Sequence, residues 1–393
     1  MKPKRKVSSG VLVASICAFA FLLTSCASPM PPEVKAILSE KVITCVDGAV
    51  QISAPKFFSD QLNTWVADFT AACPNTTVTV VPPGDAQATA VIDIAGATQA
   101  CKTEIQSPVA FDAAVPVVNF SDGTTINLSP KTLANVLNGK ITSWTDASIA
   151  AENDGVTLPE EPITVSPTLF QPAVHTLDSW MTRLDSTNWK LNSNLAFEND
   201  FDVQAPDPTL SNEGNFSVIP YSLATSIGLS PIGIIASANS DPIIPGPDSI
   251  YAGATQVEAP ATDSKISEAK LNPTASPAAQ PGSDQIAVPW QGIYTIQAST
   301  CSGPSEQASR AFVRFILRSQ EQATLTDSNY LPLMDQIRFG AIGALQAGLP
   351  EVTATPSTSS GSNSTNQSAT PQPMQSDTGA PMSTDGATPE PTQ

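Results

Sequence analysis

The 393-residue sequence has few basic residues and a single histidine. Lys and Arg number 18 against 36 Asp and Glu, so the formal net charge is −18. Such a surface argues against nucleic-acid binding, which requires basic groups that displace the counterions of phosphates. One histidine excludes a multi-histidine metal site, and the sequence contains no Cys-x-x-Cys pair of the kind that binds zinc. We therefore expect no resident metal and no other cofactor.

A hydrophobic run long enough to span a bilayer is also missing from the N-terminal region. Residues 11–23 form an apolar run of 13 residues after a basic start, whereas a spanning helix needs about 20. This pattern is typical of a signal peptide, which we place at residues 1–25. It ends in Leu-Thr-Ser-Cys at 23–26, which resembles the lipobox of bacterial lipoproteins. The alternative is an ordinary signal peptide followed by an incidental cysteine.

The lipobox resemblance implies cleavage before Cys26 and diacylation of its thiol. Two acyl chains would hold the protein at the outer face of the bacterial cytoplasmic membrane without a spanning helix. Residues 26–40 then form a short tether between the anchor and the folded part.

Four further cysteines follow the proposed anchor: Cys45, Cys73, Cys101 and Cys301. An even number in an oxidising compartment predicts two disulfides, for which the sequence allows three pairings. We favour Cys73 with Cys101 and Cys45 with Cys301, because Cys73 ends the first predicted helix and Cys101 follows a nearby strand by a short turn. The alternative is four buried free thiols.

Residues 41–349 alternate between β-rich and helical patterns. Ser53 is suited to cap a helix, with Pro55 in its first turn. The apolar residues that follow at helical spacing are Phe58, Leu62, Trp65, Val66 and Phe69. Strands are predicted at 76–81, 90–94, 115–119, 163–166, 216–221 and 292–297, and helices at 130–137, 173–184 and 305–318. The interleaving predicts an α/β fold with largely parallel sheets.

Two stretches break this alternation. Residues 257–285 are rich in Ala, Pro, Ser and Asp, which predicts a flexible surface loop with a short helix near 267–271. Residues 350–393 consist largely of Ser, Thr, Pro, Gln and Gly and contain no aromatic, Ile or Leu residue. Such a tail has nothing to bury, so we expect it to be disordered.

A family resemblance lies in the middle of the chain. The segment 126–149 contains a helix pattern, a Gly-Lys-Ile turn and a tryptophan, in the sequence INLSPKTLANVLNGKITSWTDASI. It resembles the phosphate-binding (PstS-like) extracytoplasmic solute-binding proteins of ABC importers. Further matches follow in order at 158–165, 214–224, 257–271, 311–317 and 330–333.

The resemblance implies a two-lobed, periplasmic-binding-protein-like (type 2) α/β fold with a hinge and an interlobe cleft. Lobe 1 would comprise residues 41–112 and 295–349, and lobe 2 residues 113–294. The implied function is capture of a small molecule, phosphate in the family, for an ABC permease. The alternative is a non-transporting surface or signalling lipoprotein that uses the scaffold for protein contacts.

The family holds phosphate with turns at helix N-termini, where free N–H groups favour an anion. Carried over, these turns fall at 49–52, 96–99 and 168–174. The third turn lacks the family's arginine, the bidentate and always-charged partner of the anion, and Pro172 removes a backbone N–H. The polar residues that remain as ligand-binding candidates are Gln51, Thr98, Gln99, Thr168 and Gln171. We therefore expect a changed ligand, neutral or more apolar, or a cleft retained only as a scaffold.

No catalytic site is expected. His175 and Asp178 lie on one predicted helix, and no Gly-x-Ser-x-Gly nucleophile turn accompanies them. The sequence therefore predicts a binding protein and not an enzyme.

The anchor can be tested directly. We expect Cys26→Ala to leave an uncleaved or released protein, because the acyl acceptor is gone. Metabolic palmitate labelling with detergent-phase partitioning checks this, and undiminished label in the variant would refute the lipobox assignment.

Overall fold

The computed structural model describes residues 37–38, 40–97, 101–262 and 265–350. The predicted signal peptide, Cys26, most of the tether and the C-terminal tail lie outside the described residues. Among the helices that are described, none has both the length and the apolar character to cross a membrane.

Sixteen strands are described. They are β1 (Gly48–Ser53), β2 (Thr76–Val81), β3 (Ala90–Ile94), β4 (Thr103–Val118), β5 (Asn127–Leu128), β6 (Thr164–Val165), β7 (Leu169–Phe170), β8 (Phe197–Glu198), β9 (Asn215–Pro220), β10 (Ser230–Pro231), β11 (Gly233–Ile234), β12 (Val257–Glu258), β13 (Ala261–Thr262), β14 (Lys265–Ile266), β15 (Lys270–Leu271) and β16 (Ile293–Cys301).

Nine α-helices that lie wholly within the described residues accompany them. They are α1 (Ser59–Ala72), α2 (Pro130–Leu137), α3 (Ala147–Glu152), α4 (Gln171–Leu184), α5 (Tyr221–Ile227), α6 (Pro247–Ala254), α7 (Glu306–Ile316), α8 (Ser319–Ala323) and α9 (Asp335–Gln346). Three short 3₁₀ helices lie at Lys56–Phe58, Pro208–Ser211 and Thr324–Ser328.

The main sheet has eight strands in the order β2-β1-β3-β16-β4-β9-β6, with β10 also paired to β4. Strand β4 joins its two parts. The first part of β4, as far as Ala113, pairs antiparallel with β16, and the last part, from Ala114, pairs antiparallel with β9. Residues 107–118 of β4 are all buried, so this strand passes through the centre of the molecule.

Aromatic side chains pack the first helix against α7. Leu62, Trp65 and Phe69 of α1 are fully buried, which confirms the predicted apolar face. Phe69 packs edge-on against Phe312 and Phe315 of α7, with ring centroids 5.2 Å apart in both pairs. Such pairs add to the stabilisation that comes from burying the rings.

The predicted α/β class is confirmed, but three details differ. The sheet is mixed, because β16 runs antiparallel to both neighbours, β3 and β4. Ser53 belongs to β1 and does not cap a helix. Pro55 is instead the N-cap of the 3₁₀ helix Lys56–Phe58, which has no side-chain capping hydrogen bond. The predicted loop at 257–285 contains two antiparallel strand pairs, β12 with β15 and β13 with β14, and its predicted helix near 267–271 is absent from this described stretch.

The two predicted disulfides are present, but the favoured pairing is wrong. Cys45 pairs with Cys73, and Cys101 pairs with Cys301. The physical reason is the register of the sheet: Cys301, at the end of β16, lies opposite Thr103 at the start of β4, and this brings it to Cys101. The antiparallel placement of β16 beside β4 was not evident from the cysteine spacing.

The two disulfides should differ in their effect on stability. Cys101–Cys301 spans 200 residues and Cys45–Cys73 spans 28, so loop-closure entropy assigns them about 5 and about 3.5 kcal/mol respectively. We expect the double serine variant at 101 and 301 to lose more unfolding free energy in urea than the one at 45 and 73. Equal losses would contradict the entropic ranking.

Candidate functional site

A cavity of about 900 Å³ opens beside the main sheet. One wall is the end of β3 with residues 95–97 after it, together with Pro55 after β1. The start of α4, residues 199–200, the segment 257–271 and the start of β16 complete the lining. Because β1 and β3 are parallel, their carboxyl ends meet at the cavity, which is where ligands bind in open α/β sheets.

Acidic side chains dominate the cavity. Asp93, Asp200 and Glu268 line it, whereas the described lining contains no Lys or Arg. Burial raises the pKa of Asp93, against the opposing hydrogen bond from the Ile94 N–H, and the charge of Asp200 raises it further. Glu268 forms an exposed ion pair with Lys270 at 3.4 Å, and such pairs contribute little. The cavity is therefore electronegative.

The first helical turn after β1, at residues 56–58 beside the cavity, has no free backbone N–H donor. Asp200 accepts hydrogen bonds from the backbone N–H groups of Lys56 at 3.0 Å and Phe57 at 3.3 Å. The N–H of Phe58 donates to the carbonyl of Pro55, and Pro55 itself has no N–H. At the start of α4, Pro172 in the first turn removes one N–H donor. Together the two helix starts therefore offer fewer donors to an anion.

The structure separates the predicted ligand residues. Gln171 lines the cavity. Thr98 and Gln99 lie outside the described residues, although Gly96 and Ala97 just before them line the cavity. Gln51 lies within β1, where its backbone hydrogen-bonds to Thr89, and it is not part of the described lining.

The fifth predicted residue, Thr168, lines a separate cavity of about 30 Å³ beneath Phe170 and Phe201. Sequence reasoning also missed Asp93, Asp200 and the 257–271 segment. Asp93 interrupts the otherwise apolar run of β3, which is a weak signal. Asp200 hydrogen-bonds to Lys56 across 144 positions, for which the sequence offers no signal.

A buried carboxyl group lies directly behind the cavity. Tyr294, a lining residue, donates its hydroxyl to Asp112 Oδ2 at 3.0 Å, and the Ser222 hydroxyl donates to the same oxygen at 2.6 Å. Burial raises the pKa of Asp112 to about 6, although these hydrogen bonds oppose the shift. Among the ion pairs of the described residues, none involves Asp112.

His175 and Asp178 do not form a catalytic pair. His175 lines the cavity, whereas Asp178 accepts a hydrogen bond from Trp189 Nε1 at 2.7 Å and thereby holds the chain after α4. Within the described part of the chain, no three His, Cys, Asp or Glu side chains come together as metal ligands would.

Comparison with known proteins agrees with the resemblance seen in the sequence. Residues 40–167 match the family model described as a PBP superfamily domain. The phosphate-binding protein PstS 3 of Mycobacterium leprae is 29% identical over 261 residues, covering 63% of this chain and 68% of the relative. Residues 40–167 therefore carry a PBP superfamily domain, and the chain is similar to the PstS proteins.

Two more known proteins are similar to this chain. PstS 3 of Mycobacterium tuberculosis is 27% identical over 256 residues, which cover 61% of this chain and 65% of that protein. A solved substrate-binding protein of Clostridium perfringens, assigned to a phosphate ABC transporter and holding phosphate, aligns with a TM-score of 0.46 and 11% identity. That alignment covers 73% of this chain and all of that one.

Asp112 should give the stability of this protein an unusual pH dependence. A carboxyl whose pKa rises from 3.8 to about 6 on folding stabilises the fold at low pH, and this stabilisation is lost as the pH rises through 6. The shift corresponds to about 3 kcal/mol. We expect the unfolding free energy of Asp112→Asn, relative to wild type, to improve by about this amount between pH 4 and pH 7.5 in urea titrations. A pH-independent difference would contradict it.

Proposed function

We propose that this PstS-like chain is an extracytoplasmic solute-binding protein whose cleft captures a neutral or cationic small molecule. The observation that carries the proposal is the cavity itself, which has three carboxylates and, in its described lining, no Lys or Arg. Acylation of Cys26 would hold the protein at the membrane surface, where an ABC permease can receive the solute.

The solute would lie between two lobes, 41–112 with 295–349 and 113–294. The two halves of β4 support this division, because the first half pairs with β16 and the second with β9. The chain would cross between lobes in β4 and again at the start of β16, near Ile293. A hinge made of two crossing strands permits closure around a solute.

Phosphate is the ligand in the names of the relatives, but the cleft of this chain does not suit it. A buried dianion needs charged partners, and leaving its charge unpaired costs several kcal/mol. Asp93 and Asp200 would also repel it. A cation would instead meet these carboxylates, and a neutral polar solute would find hydrogen-bonding groups on Gln171, Thr176 and Ser179.

Thermal unfolding with a solute panel tests this function. We expect no rise in melting temperature at millimolar inorganic phosphate, and a rise of several degrees with a neutral or cationic solute from a panel of sugars, amino acids and polyamines. A rise of several degrees at micromolar phosphate would contradict the proposal.

Two substitutions test whether the solute that raises the melting temperature binds in the cleft. Gln171→Ala should weaken binding of the responding solute about tenfold or more, since one lost hydrogen bond is worth about 1.5 kcal/mol. Thr168→Ala is the matched control, because Thr168 lines the separate small cavity. Equal effects of the two substitutions would place the solute elsewhere.

A further inference from the structure

Residues 197–204, here called the strap, bind the helical run 56–72 across the side of the cavity. The two carboxylate oxygens of Asp200 accept the backbone N–H groups of Lys56 and Phe57, one each. One helical turn further on, Gln204 Nε2 donates to Asp60 Oδ2 at 2.7 Å. The strap therefore makes polar contacts to two successive turns of one helix.

An aromatic cluster joins the strap to a second helix. Phe201 of the strap stacks on Phe57, with ring centroids 5.2 Å apart and an interplanar angle of 18°. Phe170 packs edge-on against both rings, at 5.6 Å from Phe57 and 5.0 Å from Phe201. Because Phe170 directly precedes α4, the cluster ties the start of the helical run 56–72 to the start of α4.

The charge of Asp200 is balanced by backbone groups. Among the described residues, no ion pair with Lys or Arg involves Asp200. The free N–H groups at a helix start carry partial positive charge, and hydrogen bonds from them to a carboxylate are about twice as strong as neutral ones. The neighbouring carboxylates Asp93 and Glu198 are repelled by Asp200, so the helix start is its favourable partner.

We propose that the strap is a built-in substitute for a solute: it holds the two helix starts together, so that this side of the cleft stays closed when no solute is bound. This inference rests on the proposed two-lobed arrangement, in which 56–72 belongs to one lobe and both α4 and the strap belong to the other. Solute binding would then be accompanied by little closure at this side, in contrast to a cleft that only its ligand draws shut.

Spin-label distances between the two helices test the strap. The spin labels are attached to keto amino acids that replace Ala67 of α1 and Thr182 of α4, both of which are exposed. This chemistry leaves the disulfide cysteines unmodified. Without solute, the wild type should give one narrow distance distribution. Asp200→Ala should broaden it towards longer distances, and amide exchange at Lys56 and Phe57 should accelerate about tenfold or more.

Glu198→Gln is the matched control, because it removes a neighbouring strap charge that makes no contact with the helix start. A folded Asp200→Ala protein with the wild-type distribution would overturn the proposal, as would equal broadening in the control. If the alanine variant does not fold, Asp200→Asn, which retains one acceptor oxygen, should broaden the distribution to a smaller extent, and no broadening would overturn the proposal. A narrow wild-type distribution in a protein that binds none of the panel solutes would support the strap and refute the proposed function.

Discussion

Strand β4 is the constraint on which the rest of the structure depends. Its sixteen residues pair with β16 along one half and with β9 along the other, so one uninterrupted strand fixes the relative position of both parts of the sheet. The carboxyl group of Asp112 is fully buried at the change of partner and is held by Ser222 and Tyr294. A carboxyl group buried without a cation is costly, and its hydrogen bonds tie β4 to both α5 and β16.

The cavity follows from this arrangement. Strands β1 and β3 end at the cavity, and helix α4 begins there, so the ends of several secondary-structure elements line it. The kind of solute that fits therefore depends on the side chains that line the cavity. Here an internal carboxylate, Asp200, already occupies the donors at one helix start, and proline occupies the first turn of the other. The cavity of this chain is therefore electronegative.

Local patterns predicted the elements well. Helix α2 has the predicted bounds, because Ser129 caps it and Pro130 opens it, and β2 and β3 coincide with their β-branched and apolar runs. Contacts between distant positions were not predictable in this way. The antiparallel register of β16 decided the disulfide pairing. The described residues of the 257–271 segment form strands that pair with one another, with little hydrophobic alternation to reveal them.

The candidate site was predicted only in outline. Gln171 could be placed because the family resemblance puts it in the turn at 168–174, and its neighbour Pro172 already indicated the loss of one anion donor. Asp200 could not be found, because its role depends on a contact with Lys56 made by the tertiary fold. Residues that act through long-range contacts leave no local sequence pattern, whereas residues at the ends of helices and strands do.

The most direct test is a crystal structure from crystals grown in millimolar phosphate. We predict that the carboxylate of Asp200 accepts the N–H groups of Lys56 and Phe57, with no phosphate at that helix start. Phosphate bound to these two N–H groups, with Asp200 turned away, would contradict it.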